Sequence, residues 1–185
     1  MSVNPWIELP PNEPGLYQLA GKPVSNYNLL LYGKALLTRR EGSTVFFIDN
    51  HGSLDFEKLK SDLGNDTELI NGFFVFSPKS LQELFTIVDD LDMLYFHTAT
   101  KPVIFISGMF EFLIRSPTNS KHLGLMAYIL GLLREFNVPV FVTNEMRASG
   151  DIDLPFLSFY IPTFFLKVYI IEIHGKEPEI LEYNF

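Results

Sequence analysis

Polar residues follow several short apolar runs in this 185-residue sequence, and these are the residues whose types could support chemistry. Asp49 and His51 come after one apolar run, and Ser107 comes after another. A serine, a histidine and an acid can act as nucleophile, base and orienting group. The strained G-x-S-x-G turn that presents such a serine is missing, so we interpret these residues as the lining of a cleft without that chemistry.

A metal site is not indicated by the same residues. Asp49 and Asp55 lie near His51 in the sequence, but no second histidine is close to it. Acids around a glycine turn are ordinary loop residues, because their side chains accept hydrogen bonds from nearby backbone amides. The sequence contains no cysteine, which excludes a disulfide framework and thiolate metal ligands. We therefore predict neither a metal nor another cofactor.

The apolar runs predict the strands of a parallel sheet, because they lack the polar alternation of strands with one solvated face. Segments with helical spacing separate them, and the one that begins at Ser80 has a capping box with Glu83. This alternation predicts an α/β fold with a mainly parallel central sheet covered by helices on both faces. The predicted strands are residues 15–20, 44–48, 73–76, 103–106 and 138–142, and the other predicted helices are residues 25–40, 53–64 and 119–136.

The first predicted helix carries an apolar stripe. Leu29, Tyr32, Leu36 and Leu37 recur at the spacing of one helix face, and we call these four residues the first-helix stripe. The helix ends with two arginines before Gly42, as expected for a helix C-terminus.

The two ends of the chain do not continue the alternation of predicted strands and helices. Residues 164–173 and 180–183, around a turn at 175–178, predict a closing β-hairpin. Residues 1–14 form a proline-rich arm in which Trp6 is a candidate anchor for a neighbouring surface, or a lid over the chain's own sheet. We therefore divide the chain into this N-terminal arm and one core domain, residues 15–185.

The charge of the chain limits its ligands. Lysine and arginine number 14 against 22 acidic residues, which gives a net charge of -8. Non-specific nucleic-acid binding depends on cationic side chains that displace counterions, so we expect direct nucleic-acid binding to be weak or absent. Pro155 and Pro162 interrupt the most apolar stretch, residues 152–173, which argues against a membrane span. With no signal peptide visible, we expect a cytoplasmic protein.

The order and spacing of these segments resemble the RecA/RadA recombinase family, in particular its short archaeal RadA paralogues. The sequence VFVTNEM at residues 140–146 is similar to the family's sensor strand, and VFFIDNHG at residues 45–52 to its second strand. Residues 101–108 resemble the Walker B strand, residues 123–137 the long helix before the sensor strand, and residues 166–183 the closing hairpin. The resemblance covers almost the whole chain from Gly15 and implies a RecA-like P-loop NTPase core.

Departures from the family pattern decide the predicted function. The Walker A pattern G-x-x-x-x-G-K-[ST] is matched by residues 21–28, where Asn26, Tyr27 and Asn28 replace glycine, lysine and the hydroxyl residue. Ser107 stands where the family has the Walker B aspartate, and His51 where it has the catalytic glutamate. The resemblance therefore implies a vestigial nucleotide cleft, which we assign to Gly21, Lys22, Asn26, Tyr27, Asn28, His51, Ser107, Asn144 and Glu145.

We expect a protein that does not hydrolyse ATP and that acts by binding a recombinase, a related protein or a second copy of itself in DNA recombination or repair. Residues 147–163 replace the family's DNA-binding loop with many apolar side chains, which suits packing against protein. The predicted partner-binding residues are Trp6, Phe156, Phe159 and Tyr160. Two alternatives stay open: a KaiC-like signalling scaffold unrelated to DNA, and an ATP-binding protein that uses Lys22 and His51.

Overall fold

The fold is taken from a computed structural model of the chain. The structure describes residues 13–21, 24–96, 102–115, 120–149, 152–155, 164–165, 167–174 and 177–183.

One central sheet organises the described part of the chain. Its strands are β1 (Gly15–Gly21), β2 (Thr44–Asp49), β3 (Phe73–Phe76), β4 (Pro102–Ser107), β5 (Pro139–Ser149), β6 (Ile152–Pro155), β7 (Lys167–His174) and β8 (Glu177–Tyr183). Their order is β3-β2-β4-β5-β1-β7-β8, and β6 pairs with the far end of β5. Pairing is parallel from β3 to β7 and antiparallel between β7 and β8. The predicted parallel sheet and closing hairpin are confirmed.

Helices cover both faces of this sheet, as predicted. They are α1 (Val24–Arg40), α2 (Phe56–Asp62), α3 (Thr67–Asn71), α4 (Leu81–Phe96), α5 (Glu111–Arg115) and α6 (Ser120–Glu135). One apolar core joins α1 and α2 to one face of the sheet, and a second joins α4 and α6 to the other. Every residue of β2 and β4 is buried, which explains why these strands show no polar alternation.

The predicted start of α4 is confirmed by its cap. Ser80 Oγ accepts a hydrogen bond from the Glu83 amide at 3.2 Å. The Glu83 carboxylate accepts one in return from the Lys79 amide at 2.6 Å. Two amides at the helix start are thereby satisfied, which is the purpose of a capping box.

The predicted helix from Ser53 starts in the wrong place and misses a second short helix. Asp55 is the N-cap of α2, since its carboxylate accepts from the amides of Glu57 and Lys58 at 2.9 and 3.1 Å. Asp66 caps α3 in the same way. Serine and aspartate are equally good N-cap residues, so residue type alone did not decide whether α2 begins after Ser53 or after Asp55. The short elements α5 and β6 were also not predicted.

The first-helix stripe does not form the buried face of α1. Leu30, Leu31 and Ala35 are buried against the sheet, whereas Leu29 is 57% exposed and the other three stripe residues are half-buried. The buried face also contains Lys34, whose Nζ lies 6.0 Å from the centroid of the Phe141 ring. Burial lowers the pKa of Lys34. Because polar residues share the buried face, the apolar spacing does not identify that face, although Tyr32 and Leu36 pack against the same core.

Arg39 ties the end of α1 to α3. Its guanidinium donates to the carbonyl oxygens of Leu69 at 2.8 Å, Glu68 at 2.7 Å and Ser43 at 3.0 Å. The side chain passes so close to Gly72 that a Cβ there would lie 2.3 Å from Arg39 Cζ. One buried arginine thus satisfies three carbonyl oxygens that helices and turns leave unpaired.

Replacement of Arg39 by lysine should destabilise the protein, because one ammonium group cannot reach all three carbonyl oxygens. We expect a loss of about 2 kcal/mol in the free energy of unfolding, measured by urea denaturation. The matched control is Arg40→Lys, an exposed neighbour, which should change stability by less than about 0.5 kcal/mol. Equal effects of the two substitutions would contradict the role of Arg39.

Candidate site at the carboxyl edge of the sheet

The candidate site lies where β1, β2 and β4 end beside the middle of β5. The sheet register pairs Gly21 with Glu145, and Asp49 with Ser107. β1 ends at Gly21 and α1 begins at Val24, so only two residues connect the strand to the helix. A phosphate-binding loop places four residues between its glycines and wraps their amides around the phosphate. The connection between β1 and α1 is shorter than such a loop.

The hydroxyl of Thr143 joins three elements at this edge. It donates to Asn28 Oδ1 at 2.8 Å and accepts from the Gly108 amide at 2.7 Å. The Thr143 carbonyl also accepts from the Met109 amide at 3.0 Å. α1, β5 and the turn after β4 are therefore held together by internal hydrogen bonds.

Asn50 continues these contacts toward β2. Its Nδ2 donates to the carbonyl of Gly108 at 3.1 Å, and its amide donates to the carbonyl of Ser107 at 3.2 Å. The side chain is buried, and its Oδ1 has no hydrogen-bond partner among the described residues. The turn after β4 is thus bonded on both sides, by Thr143 and by Asn50.

His51 contacts a glutamate that sequence reasoning did not identify. Its Nδ1 lies 3.4 Å from Glu111 Oε2, and Arg115 forms an ion pair with the same carboxylate. Asp49 instead accepts from the backbone amides of His51 and Leu54 at 3.2 and 2.8 Å. The acid that faces the imidazole is Glu111, so Asp49 is not the orienting group of a Ser107–His51–Asp49 triad.

A pocket of about 280 Å³ opens beside this edge, between α1 and α2. Asn28 and Ser107 line it, as do Asp49 and Asp55. The other lining residues, which sequence reasoning did not propose, are Leu29, Tyr32, Phe47, Ser53, Leu54 and Lys58. Among the predicted cleft residues whose side chains the structure describes, Asn28 and Ser107 border this pocket.

One hydrogen-bond network crosses from α1 to α2 at the pocket. Tyr32 donates its hydroxyl to Asp62 Oδ2 at 2.9 Å, and Lys58 Nζ lies 2.5 Å from the same oxygen. Burial and the bond to Asp62 raise the pKa of Tyr32, whereas the bonds from Lys58 and Tyr32 lower the pKa of Asp62. Tyr32 stays protonated and Asp62 charged near neutral pH. The charge of Lys58 is therefore already matched by a carboxylate.

The predicted cleft residues that the structure describes lie at several positions along the same edge. Gly21 ends β1, and Asn26 and Tyr27 lie in the first turns of α1. Asn144 and Glu145 lie inside β5, which extends to Ser149, rather than in a loop after the strand. Sequence reasoning missed Tyr32 and Lys58. Tyr32 lies four positions after Asn28 on α1, and Lys58 lies three positions after Asp55 at the start of α2. These are spacings of one helix face, so they become a usable signal only when the starts of both helices are known.

Several predicted residues lie outside the described part of the chain: Lys22, Trp6, Phe156, Phe159 and Tyr160. Part of the predicted apolar segment 147–163 does fall within it, since residues 152–155 form β6, antiparallel to the end of β5. Among the described residues, no group of three or more histidine, aspartate or glutamate side chains could hold a metal ion. No helix in that part of the chain is long and apolar enough to cross a membrane.

Gly108→Ala tests the packing of the turn after β4. Gly108 has a φ of +68°, and a Cβ there would lie 2.6 Å from His51 Nε2. We expect a loss of about 2 kcal/mol in unfolding free energy, from backbone strain and this overlap. His51→Ala in the same chain should recover about half, as measured by thermal or urea unfolding.

The control for this substitution is Gly124→Ala in α6, where an added Cβ meets nothing within 4 Å. Alanine there should be neutral or stabilising, by up to about 1 kcal/mol, because it favours the helix. Strictly additive costs of Gly108→Ala and His51→Ala would contradict the contact.

Two curated proteins resemble this chain in sequence, although no protein-family profile matches it. A protein named DNA repair and recombination protein RadB, from Methanosphaera stadtmanae, is 26% identical over 142 residues. A protein of the same name from Methanobrevibacter smithii is 27% identical over 149 residues. Each comparison covers 74% of this chain but only 61% of the relative.

The fold agrees with the sequence comparison. The crystal structure of the RadB recombinase matches with a TM-score of 0.68 and 17% identity, covering 94% of this chain and 84% of that one. It shares with this chain the parallel α/β core that the RecA-like resemblance implied. The sequence similarity along three quarters of the chain and the common fold agree with the resemblance to the RecA/RadA family that the sequence motifs indicated.

Proposed function

We propose that this chain is a RecA-fold protein that does not turn over ATP and that binds a recombinase or a related protein in DNA recombination and repair. The observation that carries the first half is the hydrogen-bonded contact between Asn28, Thr143 and Gly108. It occupies the edge of the sheet where a nucleotide phosphate and its metal ion would need unbonded donors and ligands.

Three further features support the loss of ATP chemistry. The connection from Gly21 to Val24 is too short for a loop of amides around a triphosphate. Ser107 ends β4 where a carboxylate would hold Mg²⁺, and it is buried. Lys58, a cation at the neighbouring pocket, already pairs with Asp62. Among the described residues that line this pocket, two acids, Asp49 and Asp55, stand beside one lysine that is already paired, which is unfavourable for a triphosphate.

The pathway is proposed from the relatives. Both curated proteins carry the name DNA repair and recombination protein, and this chain spans about 61% of their length. A RecA-fold protein without ATP turnover contributes through contacts with other proteins rather than through its own chemistry. The net charge of -8 disfavours the alternative of direct, non-specific DNA binding.

A ligand that binds the native state must stabilise it. Because we propose that this chain does not bind ATP, Mg²⁺ and ATP should leave its melting temperature unchanged. With a dissociation constant of about 0.1 mM, about 5 mM ATP would add roughly 2 kcal/mol and raise the melting temperature by several degrees. We expect a shift below about 1 °C by differential scanning fluorimetry. An ATP-binding recombinase serves as the positive control, and a saturable rise for this chain would contradict the proposal.

Affinity capture tests the partner. The tagged chain, recovered from extract of its own cells after nuclease treatment, should retain a RecA-type recombinase identified by mass spectrometry. Nuclease removes bridges through DNA, and the tag alone reports background binding. Recovery of signalling proteins instead of recombination proteins would overturn the assigned pathway and favour a scaffold role.

A further inference from the structure

The groove between α1 and α2, which we call the α1–α2 groove, is an apolar surface left open by the fold. It has a volume of about 540 Å³ and joins the smaller pocket through Leu29, Tyr32 and Lys58. Leu36 and Leu37 complete its apolar side, so the entire first-helix stripe lines it. Tyr32 and Leu36 also pack against the core, but the stripe as a whole keeps accessible apolar surface that is available for a partner.

Leu29 is the most exposed apolar side chain among the described residues that line the groove. It is 57% exposed, although the next two residues of α1, Leu30 and Leu31, are buried. Gly33 also lines the groove, and without a side chain it lets an incoming group approach the helix backbone. With a volume of about 540 Å³, the groove has room for a bulky apolar side chain.

The charge at the other end of the groove is positive. Lys58 and Asp62 neutralise each other across 2.5 Å. Arg40 donates to the backbone carbonyl of Asp62, and no carboxylate lies within 4 Å of its guanidinium in the described part of the chain. Arg40 and Lys58 both act on the Asp62 carboxylate, the one acid among the described residues that line the groove, so two cations face one acid there. The charged end of the groove therefore carries a net positive charge, on a chain whose net charge is -8.

We propose that the α1–α2 groove binds a peptide segment of a protein partner that combines bulky apolar side chains with a carboxylate. The apolar side chains would lie on the first-helix stripe, and the carboxylate would face Arg40. This rests on the proposed function, because it names the surface through which the chain holds its partner. A nucleic acid fits less well, since two cations that face one acid do not hold a phosphate backbone.

The probe is a blocked hexapeptide of sequence LWELLE, titrated into the isotope-labelled full chain and followed by amide NMR shifts. We expect saturable shifts confined to residues of α1 and α2. The counterpart LWKLLK, with both acids replaced by lysine, should bind at least about fivefold more weakly. Absence of saturable shifts, shifts centred on α4 and α6, or equal binding of the two peptides would overturn the proposal.

Variants of the groove identify its two ends. Leu29→Ser should weaken binding of LWELLE about fivefold by removing apolar contact. Arg40→Glu should weaken LWELLE and strengthen LWKLLK, which a merely structural role of Arg40 would not produce. Both residues are exposed, so the folded state tolerates the changes.

The matched controls lie on the opposite face of the sheet. Met93→Ser in α4 removes an apolar side chain that is 68% exposed, and Lys121→Glu in α6 reverses an exposed charge. Neither should change the affinity for either peptide. If the controls weaken binding as much as the groove variants do, the effect is not local and the proposal fails.

Affinity capture with the same variants separates this proposal from the function on which it rests. Capture of a recombinase by the unaltered chain and by the controls, but not by Leu29→Ser or Arg40→Glu, supports both. Equal capture by all four variants leaves the function standing and removes the groove as its surface. Failure of the unaltered chain to capture a recombinase counts against the function, whereas the peptide titration still decides the groove's chemistry.

Discussion

The hydroxyl of Thr143 is the contact on which the carboxyl edge of the sheet depends. It donates to Asn28 on α1 and accepts from Gly108 after β4, so one side chain joins a helix, a central strand and a turn. Both bonds are short, and Thr143 and Gly108 are buried, which makes each bond costly to leave unmade. In this position a nucleotide would have to compete with bonds that the protein already satisfies.

The two faces of the sheet are used differently. On one face, α4 and α6 pack against each other and against β2, β4 and β5 to form the larger apolar core. On the other face, α1 buries both apolar and polar side chains, among them Lys34 and Arg39. Hydrogen bonds from Arg39 to two carbonyl oxygens of α3 hold that helix against the end of α1. Because polar residues occupy part of that buried face, the apolar stripe of α1 remains beside α2 in an open groove.

The fold that this chain shares with the RadB recombinase explains the sheet but not the site. A shared fold places strand ends together, and the residues at those ends determine what can bind there. Here they are a short connection after Gly21, a serine at the end of β4 and a histidine that faces Glu111. These residues, and not the shared fold, therefore determine which ligand this edge of the sheet can accept.

The sequence by itself determined the strands, the capped start of α4 and the closing hairpin. Apolar runs without alternation are typical of doubly covered strands, and the serine–glutamate cap is a local signal. Only the tertiary structure decided which face of α1 is buried and which acid meets His51. A helix face that buries polar residues such as Lys34 does not appear as an apolar stripe in the sequence. The contact between His51 and Glu111 joins residues 60 positions apart, and such a pairing depends on where β2 and β4 end in the folded sheet.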